Sequence, residues 1–238
     1  MFYTDRVRAE YREEPCKVAL NRVRGMAFGW SLNPYMGCVH RCTRACIEAF
    51  VDAHNPFNVI TRGPLIVRDI DVLQEASRRA DVSVNFSVPT LDERVWRTTE
   101  PGTAPPRQRL RALKRLVDAG IKAGVGMAPI LPGISDKPEL LREVVQAARE
   151  AGATHVWANL LHLRPGTREH FMHHLAEDWP EEAERYERLY ARGAHLRKDV
   201  TGPVQAVVAE LRREHGIADR RRTRLAPPLE PEQLELAL

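Results

Sequence analysis

What this chain has little of narrows its reading first. Aromatic residues are only 6% of its 238 residues, too few to propose a stacking platform for single-stranded nucleic acid. Four cysteines in a chain of this length are not a disulfide framework. No apolar run approaches the ~20 residues that span a bilayer. The start, Met1-Phe2-Tyr3-Thr4-Asp5-Arg6, has no apolar segment behind its charges to serve as a secretory leader. The expectation is a soluble, cytoplasmic, monomeric protein with no membrane partner. An excess of one charge is also missing: Lys+Arg 36 against Asp+Glu 32 gives +4 and a pI near 9.0. That balance is compatible with an anionic partner without calling for one. No repeat recurs at a fixed period.

What is present is a chain that is 43% hydrophobic, enough for a sizeable core. Three parts are expected: a charge-mixed lead-in over 1–24, a folded body over 25–217, and a tail over 218–238. The tail holds the basic run Arg220-Arg221-Arg222-Thr223-Arg224, read as a solvated helix end and linker. In the body, strand-like and helix-like segments alternate. Strands are expected at Phe28–Tyr35, Phe57–Gly63, Val82–Val88, Gly124–Leu131 and His155–Leu163. Arg107–Ala119 reads as a helix with Leu110, Leu113, Leu116 and Val117 on one face, stopped by Gly120. A second helix starts near Pro138 and ends at Gly152. A third opens at Pro203 and ends at Gly216. This alternation implies βαβ units, a parallel sheet and a barrel or partial barrel.

In Val82–Val88 the apolar residues take one face, and Ser83, Asn85 and Ser87 the other. In a barrel sheathed by helices the apolar face packs outward, so the polar face points into the lumen and suggests a ligand there. Thr61, Arg62, Asn159, His162 and Arg164 lie near strand carboxyl ends, where parallel barrels place their active sites. His170, His173 and His174 are read as helix surface, and Cys16 stands alone.

The densest chemistry is at Cys38-Val39-His40-Arg41-Cys42, with Cys46 four residues on. Two thiolates four apart on a loop led by Gly37 can converge on one metal or cluster. With the preceding Ser31-Leu32-Asn33-Pro34-Tyr35-Met36-Gly37, this stretch resembles the radical S-adenosylmethionine (SAM) superfamily, in its branch related to spore photoproduct lyase and DNA repair photolyase. Thr61-Arg62-Gly63-Pro64, Val82–Leu91, Pro129–Asp136 and Asn159–Gly166 resemble later strands and loops of that branch.

The resemblance implies a partial (β/α)6 barrel and a [4Fe–4S] cluster on cysteines in C-x3-C-x2-C spacing. It also implies SAM bound to the remaining iron and cleaved by one electron to methionine and a 5′-deoxyadenosyl radical that abstracts a substrate hydrogen. Cys38, Cys42 and Cys46 are the expected cluster ligands. Asn85, Ser87, Asn159 and Arg107 or Arg109 are expected to bind the cofactor, with Asn159 also placed, beside His162 and Arg164, toward the substrate side. A nucleic-acid lesion is one candidate substrate, and flavodoxin or ferredoxin a suitable reductant.

The sequence departs from the pattern at the third cysteine: position 45 is Ala45, and Cys46 comes one residue late. Arg44–Ala53 reads as a helix with Cys46, Ala49, Phe50 and Ala53 on one face. Were 38–46 all helix, Cys38 and Cys46 would stand about 12 Å apart along it, too far for one cluster. Arg44–Phe57 instead resembles the family's second helix, so the first helix and second strand are expected to be missing, with the join near Thr43-Arg44. A complete barrel would need about 70 more residues, roughly two strand–helix units. Two other readings stay open: a truncated barrel without a cluster, and a zinc site on Cys38, His40, Cys42 and Cys46.

Overall fold

The computed structural model describes residues 41–219, with side chains from Thr43 onward, and the backbone of Leu20–Arg22 and Trp30–Leu32. The described residues fall into two compact units, one holding 41–57 and 68–82 and the other 58–67 and 83–219.

The first unit contains an antiparallel pair, β1 (Leu20–Arg22) with β2 (Trp30–Leu32), and two helices, α1 (Arg41–Asp52) and α2 (Ile70–Arg79). Of the strand expected at Phe28–Tyr35, Trp30–Leu32 is described, and it pairs antiparallel with β1 instead of with the parallel sheet. Extended residues can take any neighbour that offers ladder hydrogen bonds, and the short span from Arg22 to Trp30 permits an antiparallel return.

Helix α1 begins three residues earlier than the pattern indicates. Ile47 and Val51 form its buried edge, with Phe50 stacked on Phe57 at 5.1 Å, whereas Ala49 and Ala53 are exposed. The expected face was thus off by about one position, because large side chains set the contact line and small alanines follow it. Arg44 clasps Asp71 on α2 through two hydrogen bonds of 2.9 and 2.7 Å, and this pairing holds the Asp71 carboxyl down near 2.

The second unit is built on a sheet of order β3-β4-β5-β6: β3 (Phe57–Thr61), β4 (Val82–Ser87), β5 (Lys122–Ile130) and β6 (Val156–Leu160). β4, β5 and β6 run parallel, with Asn85 opposite Gly124 and Gly126 opposite Trp157. These are βαβ crossovers: α4 (Pro106–Asp118) links β4 to β5, and α5 (Pro138–Glu150) links β5 to β6. Both start on proline, whose missing N–H costs nothing in a first turn. Each buries an apolar stripe: Leu110, Leu113 and Leu116 on α4, and Leu141, Val144, Val145 and Ala148 on α5.

The third expected helix begins earlier, as α8 (Lys198–Glu214), so Pro203 lies inside it instead of opening it. At the sixth helical residue its ring removes a single intrahelical bond, and Val204, Val208 and Leu211 bury the face beyond it. Past α8, Ala218 forms a parallel bridge with His155 at the edge of β6.

Three helices cluster beyond the strand ends: α3 (Glu93–Thr99), capped by Asp92, α6 (Thr167–Asp178) and α7 (Pro180–Leu189). Val95, Leu131, Leu163, Leu175, Trp179, Tyr186 and Tyr190 form a second core there. Burial pushes both tyrosine hydroxyls far above their ordinary range; Tyr190 donates to the Leu161 carbonyl at 2.7 Å.

Candidate functional site

Strand alternation gives the sheet of the second unit two unlike faces. One face carries Val84, Phe86, Ala123, Val125, Met127, Val156 and Ala158, all buried, and pairs by composition with the apolar stripes of α4 and α5. The other carries Asn58, Asn85, Ser87, Gly124, Gly126, Trp157 and the neighbouring His155.

That second face is polar, as expected, but it is filled by the chain's own side chains at the level of Asn85. A Cβ at Gly124 would lie 2.4 Å from His155 Nε2, and one at Gly126 would lie 2.5 Å from Trp157 Cζ2. The two rings take the space that side chains on β5 would need, and only glycine allows it. Both reach across β5 to one atom: Asn85 Oδ1 lies 2.7 Å from His155 Nε2 and accepts from Trp157 Nε1 at 3.2 Å. Asn85 Nδ2 in turn donates to Asn58 Oδ1 at 2.8 Å.

The tautomer follows from this pattern. Indole N–H only donates, so the atom facing it is the carbonyl oxygen of Asn85, and His155 must present Nε2–H to that same oxygen. Asn85 and His155 are buried, Trp157 is half-buried, and Asn159, two residues further along β6, is exposed.

The other expected SAM contacts divide. Ser87 is buried and donates to the Ala128 carbonyl at 2.7 Å. Arg107 is exposed in the first turn of α4. Arg109, two residues on, is fully buried and committed within the chain. It donates to the carbonyls of Ala104 (2.8 Å) and Ser87 (2.7 Å) and to Thr103 Oγ1 (2.7 Å). Glu100 Oε2 sits 2.6 Å from its Nη2, close enough for charge pairing though not aligned as a hydrogen bond. Burial lowers the Arg109 pKa and Glu100 opposes that shift. Glu100 also accepts from Arg62 Nε at 2.7 Å, which ties the carboxyl end of β3 to the loop after α3. Arg62 itself is partly exposed.

Past β6, the His162 ring stacks on His195 at 3.9 Å, and Leu163 N–H bonds the Ala194 carbonyl beside it. Desolvation, then His195 and Arg164, lower the His162 pKa. Arg164 is exposed. His170, His173 and His174 are exposed on α6, as expected; among the described residues no three His, Cys, Asp or Glu side chains are grouped to hold a metal. In Pro129–Asp136 the polar residues do structural work: Ser135 Oγ accepts from Leu131 N–H and Asp136 from Gly133 N–H. A separate cavity of about 550 Å3 lies among α3, the β5–α5 loop and the start of α7, lined by Asp92, Arg94, Lys137, Trp179 and Glu182 among others.

Of the cysteines, Cys16, Cys38 and the Cys42 side chain lie outside the described residues, as does His40. Cys42 and Cys46 are four residues apart in α1, one helical turn, and Cys46 is half-buried. The described helix begins at Arg41 and Cys38 lies outside the described residues, so the separation of Cys38 from Cys46 is not given.

Sequence reasoning missed Asn58, Glu100, His155 and Trp157, and the role of the glycines. The one local signal was Gly124-Val125-Gly126 inside a strand, since glycine there often marks a close approach of another group.

Comparison with known proteins gives three findings. Residues 33–144 match the radical SAM superfamily. An uncharacterized protein of Mycobacterium tuberculosis (strain H37Rv) is 34% identical over 205 residues, 85% of this chain and 60% of that one; the chain thus spans about 60% of the length of its mycobacterial relatives. An uncharacterized protein of Acidianus two-tailed virus is 30% identical over 135 residues, 56% of this chain and 44% of the viral one. Among solved structures, a spore photoproduct lyase complexed with dinucleoside spore photoproduct superposes with a TM-score of 0.53 at 15% identity, over 73% of this chain and 52% of that one. This likeness is one of fold.

Proposed function

The chain carries a radical SAM domain, and from that premise we propose that it is an enzyme holding an iron–sulfur cluster on Cys38, Cys42 and Cys46 and SAM against the polar face of its sheet. The observation that carries this reading is the family match, which begins five residues before Cys38 and runs through the sheet strands β3 to β5. The donor set fits the group in part: Cys38 and Cys42 have the family's first spacing, and Cys46, one helical turn past Cys42, stands one residue later than the family's third cysteine and would have to serve in its place. When bound, such a cluster supplies the one-electron cleavage of SAM to methionine and a 5′-deoxyadenosyl radical, which takes a hydrogen atom from the substrate.

The chain's own residues bind and orient. Arg109 and Glu100 hold the loop after α3 against the ends of β3 and β4, and this brings the Arg62 cation to the strand mouth, where it suits a carboxylate. Asn85 fixes His155 and Trp157, and Asn159 and Arg107 remain exposed for direct contact. A lesion-bearing dinucleotide is the first substrate to test, since the solved protein of like fold holds a dinucleoside spore photoproduct. Flavodoxin or ferredoxin would supply the electron.

The test is anaerobic reconstitution with iron and sulfide, followed by iron and zinc analysis and chromatography for 5′-deoxyadenosine after dithionite reduction. The expected result is about four irons per chain, with iron lost in Cys38→Ala, Cys42→Ala and Cys46→Ala. Zinc without iron, or neither metal, would overturn the proposal. Full iron in Cys46→Ala would remove that residue from the ligand set.

A further inference from the structure

The two crossover helices of the sheet bury alike and face solvent unlike. The outward charges of α5 are mixed: Glu139, Glu143 and Glu150 with Arg142 and Arg149. The outward residues of α4 are Arg107, Gln108, Arg111, Lys114, Arg115 and Asp118, all exposed. By helical geometry they share about a third of the circumference. Four cations against one carboxylate on a single face is a concentrated charge in a chain whose whole formal excess is +4. Asp118 is already taken by Lys114 at 3.0 Å, and among the described residues no acid pairs with Arg107, Arg111 or Arg115. Helices α2 and α7, by contrast, pair every arginine they carry with an acid of the same helix: Arg78 and Arg79 with Glu75, Arg185 with Glu182, Arg188 with Glu184. Like charges four apart destabilise a helix, so a face meant only for solvent gains nothing from the α4 arrangement.

We propose that the outward face of α4 is a docking strip for the phosphate backbone of a nucleic acid, bound without regard to sequence. Arg111, Lys114 and Arg115 form the strip, and Arg107 continues its line. Arg107, Arg111 and Arg115 recur four apart, so they step along the helix by roughly 6 Å each. A polynucleotide presents an anion at every nucleotide, and arginine meets phosphate through paired N–H groups. An acidic protein fits less well: the core of a protein interface is apolar or aromatic, and this face carries no such side chain. The scarcity of aromatic residues in the chain is no obstacle, since backbone contact needs charge and not stacking. The strip also has a direction. Near the start of α4, Arg109 donates to the carbonyl of Ser87, the last residue of β4, so Arg107 stands at the strand carboxyl ends and Arg115 about two turns away. The proposal stands on α4 alone and requires neither cluster nor SAM.

The experiment is fluorescence anisotropy of a short labelled duplex of arbitrary sequence, titrated with the full chain over a series of potassium chloride concentrations. Affinity should fall linearly with salt on logarithmic axes. The variant Arg111→Gln/Lys114→Gln/Arg115→Gln should bind roughly tenfold more weakly at low salt, with a slope shallower by roughly 2–3, near one for each phosphate contact removed. Glutamine nearly matches the helix propensity of the residues it replaces, and circular dichroism checks the fold. Arg142→Gln/Arg149→Gln/Arg213→Gln removes the same charge from α5 and α8 and should stay within a few-fold of the native chain. If the α4 triple variant does not fold, Arg111→Gln alone should make the slope shallower by about one.

The idea is overturned if the duplex shows no salt-dependent binding. It is overturned too if affinity and slope are unchanged in the α4 variants, which would assign the binding to the basic run at 220–224. An equal loss in the charge-matched control would reduce the effect to net charge and overturn it as well. Labelled poly-glutamate tests the class of partner: it should bind more weakly than the duplex, and equal binding that depends on α4 would make the partner an acidic polypeptide instead. Iron uptake bears on none of these outcomes, so the docking strip and the radical SAM reading fail separately.

Discussion

The two faces of the four-stranded sheet share every backbone atom and differ in almost everything else. The face with Val84, Phe86, Val125 and Met127 is uniformly apolar and closed to solvent, and its stabilisation comes from burial summed over many side chains. The face with Asn85, Gly124, Gly126, His155 and Trp157 depends on one oxygen atom and two absent side chains. The first tolerates change in proportion to volume. The second is specified by hydrogen-bond identity, so small changes in chemistry should act out of proportion to their size.

Substitutions can break that comparison. On the apolar face Phe86→Ala empties a fully buried site and should cost about 3–5 kcal/mol in urea unfolding. Asn85→Leu keeps volume but leaves the N–H groups of His155 and Trp157 without their acceptor; about 2–3 kcal/mol is expected, with a changed tryptophan emission. If it were neutral, the polar face would be ordinary packing. Gly124→Ala puts a methyl group 2.4 Å from the His155 ring and should cost about 1–3 kcal/mol. Its neighbour sharpens the contrast: Ala123, fully buried on the other face, should be destabilised by losing its methyl group, to glycine.

How much of this was legible in the sequence follows from the range of the interactions. Strands β3 to β6 and helices α4 and α5 were visible because alternation and helical periodicity are local. So was the polarity of the Ser83–Ser87 face. What that polarity does was not legible, because Asn85 and His155 are 70 residues apart and neither carries a local mark of the other. Arg109 was expected, as an alternative to Arg107, at SAM; its burial goes with Glu100 returning from the end of α3, which no local pattern marks. Within the segment 28–35, the described Trp30–Leu32 is extended, but its partner was not encoded in its own pattern, and β1 is the strand it pairs with. The cysteine spacing was legible as an anomaly, but where α1 starts was not.

Smaller effects test the edges of the polar face. Ser87→Ala leaves the Ala128 carbonyl short of a donor and should cost about 0.5–1.5 kcal/mol. At the mouth, His162 has its pKa lowered by desolvation, then by His195 and Arg164. A base whose folded value is lowered takes up more protons when unfolded, so its contribution is complete above the ordinary imidazole value of about 6.5 and is lost as pH falls through it toward the lowered value. NMR titration of the His162 ring should find a midpoint below 6.5 that moves back upward in His195→Ala. A midpoint unmoved by that substitution would show that the stacked pair is not electrostatically coupled.

The most direct test of the central claim is low-temperature EPR of the anaerobically reconstituted, dithionite-reduced chain, recorded with and without SAM. A chain that seats SAM beside a four-iron cluster should give a reduced-cluster signal whose g-values shift when SAM is added. A signal that SAM leaves untouched, or no iron–sulfur signal at all, would contradict the account.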